Sequence, residues 1–103
     1  MIHELKIEAG PYHAVAREEK RAEFRRNDRN FQVSDILVLR QYDPMYGYSG
    51  AYLLRKITHI QEGYGMHKGY SMLSIRRLTP KEEANHAAGV ITKDRAVQVG
   101  GAP

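Results

Sequence analysis

Lys20-Arg21-Ala22-Glu23-Phe24-Arg25-Arg26-Asn27-Asp28-Arg29-Asn30-Phe31 sets the reading of the whole chain. Five cations, two carboxylates, two amides, two aromatics and one alanine fill its twelve positions. As a strand, alternation puts Ala22 and Phe24 on one face, with Glu23 and Arg25 on the other. Asn27-Asp28-Arg29-Asn30 then favours a turn, because short amide and carboxylate side chains bond the nearby backbone. Such a strand can place Phe24 in a core while Glu23 and Arg25 line a polar pocket. It can equally be a solvated edge, where the same two charges form a surface ion pair worth little.

Upstream, Ile2 to Glu8 alternates, with His3, Leu5 and Ile7 on one face, and reads as a strand. His3 on that apolar face is a hydrogen-bonded structural histidine or a pocket residue. Gly10-Pro11 suits the start of a short helix reaching about Glu19, with Tyr12, Val15 and Ala16 on one side. Downstream, Ile36-Leu37-Val38-Leu39 opens a strand running to Tyr42. Its unbroken apolar half indicates burial on both faces.

Asp43-Pro44 and Gly47 to Gly50 mark a loop with Tyr46 and Tyr48 at its tip. A strand follows from about Ala51 to Ile60. Gly63, Gly65 and Gly69 make a pliable loop that carries Tyr64, and Tyr70 to Leu78 is the last strand. Thr79-Pro80-Lys81-Glu82 has the form of a capping box, which predicts a short helix ending near Gly89. Val90-Ile91 and Val97-Gln98-Val99 belong to a tail that is disordered, pairs as a strand, or joins two copies as a homodimer.

The order of elements predicts an α+β, mostly β fold: a small pseudobarrel over residues 1–78 with one or two short helices. Residues 79–103 form the C-terminal helix and tail. Phe24, Leu37, Leu39, Leu53, Leu73 and Ile75 are the expected core.

At 103 residues the chain has room for one modest core. It contains no cysteine, which excludes disulfides, thiolate metal sites and a cysteine nucleophile, and which fits a cytoplasmic setting. No apolar run approaches a membrane span, and Met1 to Lys6 lacks the apolar segment of a secretory signal. The formal net charge of +4 favours anionic partners. Gly63-Tyr64-Gly65 satisfies no phosphate-loop pattern, and His3, His13, His59, His67 and His86 are dispersed. No cofactor and no metal site is therefore expected.

His3-Glu4-Leu5-Lys6-Ile7, Lys20-x-x-Glu23-x-Arg25-x-Asn27-Asp28-Arg29-x-Phe31-x-Val33-x-Asp35 and Leu37-x-Leu39 together resemble a phage and bacterial family, domain of unknown function 3850. That family is grouped with the ASCH domains of the PUA-like superfold. The resemblance continues through Tyr42-Asp43-Pro44, Gly47-Tyr48-Ser49-Gly50 and Gly69-Tyr70-x-x-Leu73-x-Ile75. It implies a PUA-like (ASCH-like) pseudobarrel with a cleft beside the first helix. ASCH domains have been proposed to bind RNA, and some relatives hydrolyse an acyl group from a modified cytidine using a Lys, a Thr three residues later and a distant Glu. Lys20 matches that lysine, whereas Glu23 stands at the Thr position. Glu18 and Ser34 stand where glycine is usual, and Arg21 replaces a Thr.

Three readings of function follow. The first is a binding domain for single-stranded RNA or a nucleotide-like ligand. Arg25, Arg26 and Arg29 would offer phosphate or base contacts, with Lys6 and Lys20 extending the patch. Asn27 and His3 would line the cleft, and Tyr46, Tyr48 and Tyr64 would stack on bases from the loops. The second is an amidohydrolase with Lys20 as base and Glu23 moving a proton, which requires Lys20 to lie in the turn before the strand if the two are to converge. The third is a phage-type module whose cleft binds a protein partner.

Overall fold

The computed structural model describes residues 1–85. The expected helix end near Gly89 and the tail, with its strand or homodimer role, lie outside the described residues. The elements are β1 (Ile2–Ile7), α1 (Ala9–Ala16), β2 (Ala22–Arg26), β3 (Ile36–Asp43), β4 (Gly47–Gln61) and β5 (Tyr70–Arg77). One sheet takes all five strands in the order β1-β3-β4-β5-β2. β1 runs parallel to β3, and the other pairs are antiparallel. The sheet curls into a half-barrel and, with two short helices, gives the small α+β, mostly β pseudobarrel that the sequence predicts.

The main core lies inside the curl. Leu5 and Ile7 of β1, Leu37 and Leu39 of β3, Ile57 of β4 and Leu73 and Ile75 of β5 meet Tyr12 and Val15 of α1 and Phe31. Ile36 and Val38 face the other way and pack with Leu54, Ile2, Tyr52 and Leu78. β3 is therefore buried on both faces, which is what its apolar run requires.

α1 begins one residue earlier than expected and ends sooner, at Ala16. Its end is a Schellman turn: Glu18 N–H donates to Val15 O and Glu19 N–H to Ala14 O. Glu18 takes the left-handed conformation at φ 64°, and Ser34 does so at φ 81°. Glycine, the residue that the resemblance implies at both positions, enters this region without a Cβ clash. Thr79 and Glu82 exchange reciprocal bonds, Thr79 N–H to Glu82 Oε1 at 2.8 Å and Glu82 N–H to Thr79 Oγ1 at 3.2 Å. That is the expected capping box, and residues 80–85 are helical.

Two expectations need correction. Phe24 is 47% exposed rather than part of the core, while Glu23 is 5% exposed. The alternation of β2 is right and its facing is reversed. The inward side of this edge strand meets a polar groove, and Phe24 instead stacks on Tyr70 on the outer face. β4 also begins at Gly47, not Ala51, so Tyr48 lies in a strand opposite Tyr42 and not at a loop tip. Leu53 is half-buried and packs against the main core. No helix among the described residues is long and apolar enough to cross a membrane.

Candidate functional site

β1 and β2 are the two outer strands of the curled sheet, and the seam between them is where the molecule opens. Arginines bridge it. Arg25 Nη2 donates to the Lys6 carbonyl at 2.6 Å, and Arg29 Nη1 donates to the Glu4 carbonyl at 2.8 Å. β1 pairs with β3 on one side only, so these carbonyls face away from any strand partner and need donors.

A groove of about 380 Å³ lies along this seam. Ile7 and Pro11 give it apolar surface, Phe24 borders it from β2, and Lys6, Glu8, Lys20, Glu23 and Arg25 give it charge. Glu23 is its centre. Lys20 Nζ donates to Glu23 Oε1 at 2.6 Å, and Arg25 Nε donates to Glu23 Oε2 at 2.8 Å. Arg25 Nη2 also approaches Oε2, at 2.7 Å. Lys20 reaches Glu23 from the turn before β2, where it is fixed by its backbone N–H on Ala14 O and its ammonium on the Ala22 carbonyl. The convergence that strand alternation forbids is thus made by the helix-ending turn.

The remaining candidates divide. Lys6 lines the groove and sits 4.4 Å from the Tyr42 ring centroid. Arg29 and Tyr48 line an adjoining pocket. Arg26 lies on the outer face over Tyr70. Asn27 holds the turn: its Oδ1 accepts from Phe31 N–H, and its Nδ2 donates to Glu62. Tyr46 and Tyr64 are strongly exposed and stand outside the groove lining.

His3 is also outside that lining and has a buried role. Its Nε2 lies 2.8 Å from Asp35 Oδ2, and its ring packs edge-on against Phe31. Burial works against the charged form of Asp35, yet its carboxyl is held below its ordinary range. Bonds from His3, the Gln32 backbone N–H and the N-terminal ammonium outweigh burial. An ionised carboxylate only accepts, so Nε2 of His3 carries the proton.

Sequence reasoning missed Glu4, Pro11 and Arg40 as groove residues. Arg40 reaches the seam because β3 lies parallel to β1 in the register Lys6↔Arg40. No local pattern announces a pairing between strands so far apart in the chain.

The model of a family described as Domain of unknown function (DUF3850) matches residues 2–75. The chain belongs to this family. Within DUF3850 terms, the match covers every strand that builds the groove and nearly all of β5. An uncharacterised 12.9 kDa protein in the GpA 3′ region of Escherichia phage P2 is 44% identical over 41 residues. That alignment covers 40% of this chain and 38% of the phage protein, so it spans about two fifths of the relative's length.

Proposed function

We propose that the β1–β2 groove binds single-stranded RNA or a nucleotide through an unpaired base. One observation carries this reading: a nearly buried carboxylate, Glu23, is clamped between Lys20 and Arg25 on the wall of an open groove. A base needs apolar surface for its faces and fixed donors and acceptors for its edge. Ile7 and Pro11 supply the first, and the Lys20–Glu23–Arg25 set supplies the second. The volume of about 380 Å³ falls within the range of small-ligand sites. Two hydrogen bonds already reach Glu23, one to each oxygen, with Arg25 Nη2 also close, and a carboxylate offers roughly four acceptor positions. Room remains for one further donor, such as the exocyclic amine of cytosine.

The test is titration of short single-stranded RNAs at several salt concentrations. Affinity is expected to fall as salt rises, because phosphate neutralisation releases counterions. Glu23→Gln should alter base preference more than overall affinity. If no RNA or nucleotide binds at low salt, the reading is lost and a protein partner becomes the better one.

The Lys20–Glu23 contact also meets the geometric requirement of the amidohydrolase reading. Glu23 supplies no hydroxyl where the resembled enzymes carry Thr, so turnover of acylated cytidine should be absent or weak. Turnover abolished by Lys20→Ala would make catalysis the leading reading.

A further inference from the structure

The groove continues along the seam into a second pocket of about 240 Å³. Lys6, Arg25, Arg29 and Arg40 line it together with Tyr48, and Glu4 is the one carboxylate in the lining. Four cations against one carboxylate leave a formal surplus of three positive charges. Backbone carbonyls orient Arg25 and Arg29 here, bonds that leave the charge in place, and Arg25 also pairs with Glu23. Arg40 Cζ lies over the Tyr48 ring, 4.0 Å from its centroid, with Glu4 Oε1 3.6 Å from its Nη1. Glu23, the neighbouring carboxylate, is shared by Arg25 and Lys20, and counting Glu23 and Lys20 together with the lining leaves the surplus at three.

Like charges held this close repel, and an anion seated among them removes that repulsion. Planar guanidinium forks suit phosphate oxygens in particular. The pocket alone is below the size of a typical small-ligand site, and it shares Lys6 and Arg25 with the larger groove. The two together fit a base in one compartment and a phosphate in the next.

We propose that this second pocket is a phosphate subsite, so that the ligand of the groove is a nucleotide carrying its phosphate and not a free nucleoside. The proposal rests on the base-binding reading of the groove. Its test is calorimetric titration of the full chain at low salt with cytidine, cytidine 5′-monophosphate and the dinucleotide CpC. Both phosphate-bearing probes are expected to bind about tenfold or more tighter than cytidine, the range of one well-made charge-assisted bond. The stronger of the two identifies a terminal or an internal phosphate as the group recognised.

Arg40→Gln, outside the first compartment, is expected to lower the nucleotide-to-nucleoside ratio several-fold, and Arg40→Lys to restore part of it. Should Arg40→Gln not fold, Lys6→Gln at an exposed side chain reads the same ratio. Equal affinity for cytidine and its monophosphate, or a ratio indifferent to both substitutions, overturns the subsite and leaves the groove reading in place. Failure of all three probes to bind removes both.

Discussion

Glu23→Gln separates the two readings that its stretch of sequence permits. Glutamine keeps the volume of the side chain, so the change tests charge and not packing. The variant loses the carboxylate that accepts from Lys20 and Arg25, and sets an amide N–H₂ against one of them. A surface ion pair is worth about 0–1 kcal/mol, whereas breaking a buried pair costs about 3–5 kcal/mol. Here the carboxylate is buried, but the side chains of Lys20 and Arg25 keep 32% and 25% of their exposure. Water can therefore take over part of what the cations lose, and Arg25 keeps its bond to the Lys6 carbonyl. The expected cost is intermediate, about 2 kcal/mol.

Urea unfolding followed by circular dichroism measures this, since the chain has no tryptophan. Lys20→Met and the double variant complete a cycle, in which direct contact should appear as a coupling of about 1 kcal/mol. A loss below about 0.5 kcal/mol with no coupling would mean a solvated pair, and the groove would lose its organising charge.

Leu39 is fully buried at the centre of β3, so Leu39→Ala should cost about 2–5 kcal/mol in the same urea assay, and a value at the surface level would break the strand register. Asp35 has its folded pKa below the ordinary value of 3.8, so the stability it adds is present above that value and is lost as pH falls through the lower, folded one. Asp35→Asn should flatten the acid limb of a stability-against-pH curve, and an unchanged limb would mean the carboxylate is not the linked group. Ser34→Gly should stabilise by up to about 1 kcal/mol, because relief of left-handed strain exceeds the backbone entropy that glycine adds. A lower midpoint in urea would mean that the strain is already relieved at Ser34.

The barrel strands were legible because their apolar residues keep a period of two, as in Leu5 and Ile7 of β1 or Leu73 and Ile75 of β5. The capping box at Thr79 was legible because its chemistry is local. Phe24 was misplaced for a physical reason. Hydrophobicity identifies the inward face only where the interior is apolar, and β2 lines a side of the core that opens to charge. Glu23 and Arg25 share the polar face that the same pattern gives, and Lys20 and the Lys6 carbonyl satisfy them there. Arg40 and Glu4 needed the parallel β1–β3 register, which joins residues about 34 positions apart and leaves no short-range mark.

The position of the groove follows from the topology. β1 and β3 are parallel neighbours, so the chain between them must cross over, and along the way it lays β2 at the far edge of the sheet. The curl then brings β1 and β2 together without strand pairing, leaving the outward carbonyls of Glu4 and Lys6 to be met by other donors. Arginine meets that need well, since its fork donates in several directions and accepts from none. Each such bond, however, consumes a neutral acceptor and leaves the positive charge in place. Closing the seam with Arg25 and Arg29 therefore creates an electropositive groove at the same time, and Glu23 offsets only part of it. Closure and anion attraction are two consequences of one set of bonds, which is why a ligand phosphate there would add to the stability of the seam as well as occupy it.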